Sequence, residues 1–533
     1  MNGGEAVVAS LTKAGITTAI GIVGSSIIEV FDLLPKAGIR YVGVRHEQVA
    51  GHMADVYARI TGTPLACIVQ NGAGVTNVVT GVATAFRARS PMVVLSGCPT
   101  SSQLTKDTYQ EIDHVGIMRP ITKWSHSVNR ADRIPEAIQR AVREAMTPPC
   151  GPTFVDIPRD YLYELFTGDI LEVNQFKAVA RTAPTANEIE TAATMLRGAH
   201  HPVILAGGGI VWSDASNDVV ALSERLNAPI CTIYGHNDAV PNDATWFAGP
   251  LGRGGSKAAM RVFSEADVVL AIGTRMEPFT FIPYYGDAYF PKDARFIQID
   301  NDARRIGQNV PVELGIAADA AETARALLLR LPPASNSKFT LSHLQSLVGD
   351  WRREIAENAR WSETPLSMEA AYAALAEVMP GDAIRTLDIG SSPSFAYSMF
   401  TYTKPRTLIP PLGLGGVGFA LPAALGARLA APEATVVALL GDGAFSMGFE
   451  ALFTAYEESL PFVGIVFDNG AWGAEKANQL HFYDKNYVGT NLRSPDIVKL
   501  SQTMGGFSVT ANTAAEIKDA FRQAQREESF SII

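Results

Sequence analysis

Cysteine is scarce and scattered: Cys67, Cys98, Cys150 and Cys231 are the only four in 533 residues. None sits at CxxC spacing, so neither a disulfide frame nor a cysteine zinc site is expected. The four read as small core residues of a reducing compartment. Apolar runs are short, and none reaches the roughly 20 residues that cross a bilayer. Positive charge is in the minority, with 44 Lys and Arg against 54 Asp and Glu for a net charge of −10. That balance argues against a general nucleic-acid binder, although local basic pockets for anions remain compatible with it. The first residues lack the basic-then-apolar pattern of a secretion signal, and a cytoplasmic protein is expected. His46 and His52 are six positions apart and so miss the HExxH zinc spacing. No GxSxG elbow supports a serine hydrolase, and there is no short repeat.

What remains is ordinary globular material, 47% hydrophobic and 18% charged. The chain is too long for one core. Strand-like apolar runs at 19–23, 41–44, 65–70 and 92–96 alternate with helical patterns at 47–60 and 76–88. Further runs at 203–206, 268–272 and 295–299 follow a helical pattern at 186–198. This rhythm predicts an α/β protein built of doubly wound parallel sheets with crossover helices. Three units are expected, at 1–164, 186–332 and 366–533, the first and third sharing an architecture without obvious sequence similarity. A polar stretch at 165–187 reads as a linker. The segment Leu331-Pro332-Pro333-Ala334-Ser335-Asn336-Ser337 punctuates the end of the second unit.

Two short patterns carry chemistry. Gly441-Asp442-Gly443, followed by Ala444 and Phe445, ends an apolar run and opens a helix-like stretch; a second apolar run then leads to Asn469. A glycine turn of this kind lets backbone N–H groups approach a phosphate at the positive end of a helix. Asp442 and the amide oxygen of Asn469 are hard oxygen ligands, suited to Mg²⁺ or Ca²⁺ on a diphosphate. Far upstream stands Arg45-His46-Glu47-Gln48. A carboxylate held in an apolar pocket at such a point can share a proton with a ring nitrogen. Two glycine strings compete for attention. Gly413-Leu414-Gly415-Gly416-Val417-Gly418 matches GxGxxG, but its setting after Pro410-Pro411 disfavours a nicotinamide site. Gly207-Gly208-Gly209 marks a tight turn in the middle unit and is read as structural, so FAD is not expected.

The paired patterns resemble those of thiamine-diphosphate (ThDP) enzymes of the pyruvate oxidase and acetohydroxyacid synthase type. In that family the glutamate at the Glu47 position hydrogen-bonds the aminopyrimidine N1′ and promotes loss of the thiazolium C2 proton. Gln70 to Asn77, with Gly72 and Asn77, resembles the turn that faces the cofactor. Tyr109 to Asp113 resembles the loop that brings a glutamine, here Gln110, into the site. The resemblance assigns Gly415 and Val417 to the pyrimidine, Val417 being the wedge that bends the cofactor. It also assigns Gly390 and Ser391 to the diphosphate, and Mg²⁺ to Asp442, Asn469 and the Ala471 carbonyl. Trp472-Gly473-Ala474-Glu475-Lys476-Ala477-Asn478-Gln479 and the middle-unit run from Tyr234 to Arg275 are similar to the sulfoacetaldehyde acetyltransferases within the family. Val417, Ser391-Ser392-Pro393-Ser394 and Asn491 depart from the usual pattern. The implied reaction converts sulfoacetaldehyde and phosphate to acetyl phosphate and sulfite. His46, Arg275, Lys476 and Asn478 are then expected to bind the anions, with Arg45 and Arg253 as further candidates. Relatives build the site between subunits, which implies a homodimer or homotetramer. The alternatives are acetolactate synthesis, a 2-hydroxyacyl-CoA lyase or decarboxylase, or a non-catalytic protein of the same fold. The last residues, Ser529 to Ile533, read like a strand only begun, so a closing segment is expected to be missing.

Overall fold

The computed structural model describes residues 1–176, 181–283, 286, 288–332, 336–362 and 365–533. It contains three six-stranded sheets, each drawing its strands from one third of the chain. The first holds β1 (Thr18–Gly21), β2 (Arg40–Gly43), β3 (Ala66–Val69), β4 (Met92–Cys98), β5 (Trp124–Ser127) and β6 (Pro152–Pro158). Their order is β2-β1-β3-β4-β6-β5. The second holds β7 (Pro202–Ala206), β8 (Ile230–Thr232), β9 (Phe247–Pro250), β10 (Val268–Ile272), β11 (Arg295–Ile299) and β12 (Leu314–Ile316). The third holds β13 (Ile384–Leu387), β14 (Leu408–Ile409), β15 (Val436–Gly441), β16 (Val463–Phe467), β17 (Phe507–Ser508) and β18 (Ser531–Ile532). Among the described residues, every pairing between these strands is parallel.

The third sheet runs β14-β13-β15-β16-β18-β17, which repeats the first sheet's order strand for strand. The central sheet runs β12-β11-β10-β7-β8-β9, the reversal at its middle strand that marks doubly wound dinucleotide folds. Central strands such as β3, β4 and β7 are buried along their whole length. That burial is why they read as continuous apolar runs, since helices cover both faces of a parallel sheet. The unit read as ending near 332 continues further. A helix at Leu341–Glu357, capped by Thr340, returns to the central sheet. Leu344 is buried in that core beside Phe339, and Lys257 pairs with Glu354. No described helix is long and apolar enough to cross a membrane.

Each third has a core of its own, and the outer two share a further one. Val49, Met53 and Val78 of the first third pack in the same cluster as Phe419, Ala423 and Leu440 of the last. The helix Glu47–Thr61 lies between two others, Ala73–Ala88 and Ala420–Ala430. Glycines set both spacings. A Cβ on Gly51 would stand 2.8 Å from the Gly81 Cα, and one on Gly426 would stand 2.4 Å from the Met53 carbonyl oxygen. In an open helix Gly51→Ala would stabilise by about 1 kcal/mol. Here we expect the same change to destabilise by about 1–3 kcal/mol through overpacking, measured by urea denaturation.

Candidate active site

Glu47 is the first residue of its helix, and His46 is its N-cap, accepting from the Gln48 N–H at 3.1 Å. The Glu47 side chain is only 6% exposed. Asn77, on the neighbouring helix, donates its amide to one carboxylate oxygen at 2.9 Å. The other oxygen faces Gly74, where a Cβ would come within 3.1 Å of it. Glycine at 74 therefore keeps one face of the carboxylate clear. Gly72 begins the turn with φ +62 and lies against Gln110, which also has a positive φ. Gln110 accepts from the Gln70 amide at 3.0 Å. The sequence candidates Glu47, Gly72, Asn77 and Gln110 thus converge.

The second cluster forms at the C-terminal ends of β13, β15 and β16. Gly441 ends β15, and Asp442 opens the next helical turn with Gly443, Ala444 and Phe445 buried behind it. A Cβ on Gly443 would meet the Trp472 ring, and one on Gly473 would meet both Asn469 and Ser391. Gly390, with φ +145, brings Ser391 into the same cradle. Ala471 is held by an antiparallel bridge to Asn491, and Trp472 N–H donates to the Thr490 carbonyl at 2.9 Å. The 488–491 stretch therefore braces the loop that carries the expected metal carbonyl.

Asp442 is the unusual group. It is 1% exposed, and among the described residues both its carboxylate oxygens are buried without a hydrogen-bond partner. Burial, with Asp468 nearby, pushes its carboxyl above the ordinary range. An unpaired buried carboxylate is costly, and a divalent cation ligated by oxygen would offset that cost. The donor set of Asp442, Asn469 and a backbone carbonyl fits such an ion. Asp388 shows the contrasting case. It accepts from the N–H groups of Ile389, Gly418 and Ala420 at 2.8 to 3.1 Å, and burial pushes it up to about 6. Sequence reading gave Asp388 no role, although its place at the end of β13 was a signal. By capping the helix after the GxGxxG string, it occupies amides that a dinucleotide would need. Gly415, with φ +71, and half-buried Val417 belong to that loop, and neighbouring Gly416 lies against Thr80 of the first third.

The basic candidates separate. Lys476 is half-buried on the Gly473–Phe482 helix, which begins beside Asn469 and Ser391, its ammonium 5.5 Å from the Tyr487 ring centre. Asn478, on the same helix, bonds to Glu475 at 3.4 Å. Arg275 sits in the central unit and pairs with Glu277 at 2.8 Å, a carboxylate it shares with Arg87. Arg45 is exposed and paired with Glu457 at 2.6 Å. Arg253 is half-buried in a loop whose Gly254 packs on Ser394 and Tyr397. Gly207, Gly208 and Gly209 are packed by Gly273, Thr274 and the His236 ring.

Within one chain the start of the Glu47 helix lies against the Ala451–Glu457 helix. Arg45 and Gly43, beside Glu47, bond to Glu457 and Thr454. At the far end of the same helix, Arg406 bonds to the Arg59 carbonyl. Asp442 and Glu457 bracket the helices Asp442–Gly448 and Ala451–Glu457, joined through helical conformations at 449 and 450. Glu47 thus lies beside the end of this segment that is remote from Asp442.

If Asp442 is kept unpaired for a cation, Asp442→Asn should leave the metal-free protein as stable as the parent, or about 1–2 kcal/mol more so. The same change should abolish the rise in melting temperature on adding Mg²⁺ and ThDP together, read by scanning calorimetry.

Three family models cover most of the chain. They are the thiamine pyrophosphate enzyme N-terminal TPP binding domain over residues 1–117, the central domain over 189–327 and the C-terminal TPP binding domain over 388–533. A sulfoacetaldehyde acetyltransferase from Rhodobacter capsulatus is 37% identical, the alignment covering 98% of this chain and 92% of the relative. One from Alcaligenes xylosoxydans is 34% identical, over 98% and 90%. A probable acetolactate synthase large subunit from Methanocaldococcus jannaschii is 32% identical, again over 98% and 90%. The chain belongs to the thiamine pyrophosphate (thiamine diphosphate) enzyme family.

Proposed function

We propose that this enzyme converts sulfoacetaldehyde and phosphate to acetyl phosphate and sulfite, using thiamine diphosphate and Mg²⁺. The observation that carries the cofactor half is the buried, unpartnered Asp442 carboxylate beside Asn469 and the Ala471 loop. The substrate half is supported by the named sulfoacetaldehyde acetyltransferases at 34–37% identity. The acetolactate synthase relative keeps pyruvate chemistry as the second reading.

In this reading Asp442, Asn469 and the Ala471 carbonyl hold Mg²⁺. The backbone of Gly441, Gly443 and Ala444, with Gly390, Ser391 and Gly473, cradles the diphosphate, Phe445 and Trp472 walling it. Gly415 and Val417 line the pyrimidine. The bound coenzyme would supply the nucleophilic carbon and the electron sink of the reaction. Asn77 fixes one oxygen of Glu47, so the other is oriented to exchange a hydrogen bond with a ring nitrogen of the pyrimidine. Gln110 orients the substrate carbonyl. A sulfonate and a phosphate beside a diphosphate need cationic donors, because like charges repel in a dry site. Lys476 is assigned that role, with Asn478, His46 and Arg275 as further donors.

The contact of the Glu47 helix start with Glu457, at the other end of the 442–457 segment from Asp442, supports a homodimer or homotetramer in which one chain's Glu47 would meet another's diphosphate cradle. Exposed apolar side chains flank both clusters, with Tyr109 86% and Phe482 77% exposed. A second copy would cover them.

Phosphate-dependent sulfite release from sulfoacetaldehyde is expected, without CO₂ release from pyruvate. The reverse pattern would favour the acetolactate reading. Lys476→Met should lower kcat/KM for sulfoacetaldehyde by about tenfold or more, the worth of one charge-assisted hydrogen bond. Its affinity for ThDP should stay within about twofold of the parent, by fluorescence titration. Unchanged kinetics would remove Lys476 from the site.

A further inference from the structure

His114 is buried behind the turn that faces Glu47. It opens a short helix, His114–Met118, and its ring has two partners and no solvent. The Gly72 N–H donates to Nε2 at 2.9 Å. On the other side Nδ1 lies 3.2 Å from both carboxylate oxygens of Asp156, within β6. An acceptor nitrogen carries no proton, so the single ring proton sits on Nδ1 and is donated to Asp156. Asp156 is itself buried, and burial raises its carboxyl while the His114 hydrogen bond pulls it back. The ring is thereby held in one tautomer and one orientation.

What the ring holds matters for catalysis. Gly72 has φ +62 and ψ −107 and is the N-cap of the helix that carries Asn77. It packs against Gln110, and two residues on, Gly74 abuts the Glu47 carboxylate. Gly72 has no side chain to cap its helix, and its own N–H is directed inward at His114. Resting on the assignment of Glu47 above, we propose that the Asp156–His114 pair is a positioning device. Through the Gly72 amide it sets the turn from which Asn77, Gly74 and Gln110 present Glu47 to the coenzyme. Nothing in the ring touches the reacting atoms.

The test compares two substitutions. His114→Phe fills the space but offers no acceptor, leaving a buried N–H unpaired. His114→Gln keeps an acceptor oxygen at a similar reach. In the cofactor-free protein, amide hydrogen exchange of a peptide containing Gly72 should be about tenfold faster in His114→Phe and near the parent rate in His114→Gln. With ThDP and Mg²⁺ bound, the rate of C2-proton exchange by NMR should fall about tenfold or more in His114→Phe and recover in His114→Gln. Should His114→Phe not fold, His114→Leu serves in its place. Equal damage in the Phe and Gln variants would mean packing alone and would overturn the proposal, as would parent-like exchange in His114→Phe. Glu47→Gln is run alongside. If it exchanges C2 at the parent rate, the Glu47 assignment fails, and with it the proposed link from His114 to that carboxylate. If it is inert while His114→Phe exchanges normally, only the positioning role fails.

Discussion

The helix that begins at Glu47 is clamped on two faces where no side chain fits. Gly51 against Gly81 and Gly426 against Met53 bring three backbones into van der Waals contact, and packing this tight admits little sliding or rotation. Two consequences follow from that one constraint. Glu47 is held at a set height beside Asn77, and the first and last thirds of the chain are locked into one core. The lock also sets direction, because the Glu47 end of the helix lies by Glu457 and the Arg59 end by Arg406. On the proposed assignment, Glu47 and the Asp442 turn of one chain would then serve different sites of an oligomer.

Two buried aspartates in the last third show how structure and function divide the same chemistry. Asp388 receives three backbone N–H groups and stitches β13 to the loop before the Ala420–Ala430 helix. Asp442 is as deeply buried, yet among the described residues no donor closes a full hydrogen bond to its carboxylate, and the nearby Asn469 and Gly443 amides only partly offset its burial. A folded chain with no use for Asp442 would replace it, since an unpaired buried charge costs stability. The cost is explicable if a cation completes the site. The Asn491 segment, a departure in the sequence, acts as a brace for Ala471.

The three-sheet α/β fold was legible because parallel strands are buried on both faces, so runs such as 268–272 and 295–299 match β10 and β11 end to end. Glu47, Asp442 and Asn469 stood out as candidates because their patterns are local. Less so were features that depend on distance along the chain. Arg45 looked available to an anion until its pairing with Glu457, 412 residues away, was seen. His114 and Asp156 stand 42 residues apart and belong to no local pattern. The Leu341–Glu357 helix was missed because it follows a turn-rich stretch and buries only Leu344 and Trp351 fully. The GxGxxG string is set aside as a nicotinamide motif on its setting, and Asp388 takes the Gly418 and Ala420 amides at its end.

A subunit-mixing assay tests the central claim most directly. Glu47→Gln and Asp442→Asn proteins are each expected to be inactive. Refolded together in equal amounts, they should regain about a quarter of parental activity, because half the dimers are mixed and each mixed dimer has one intact site of two. No recovery in a mixture whose hybrid dimers are verified by native mass spectrometry would place both carboxylates in a single-chain site and contradict the account.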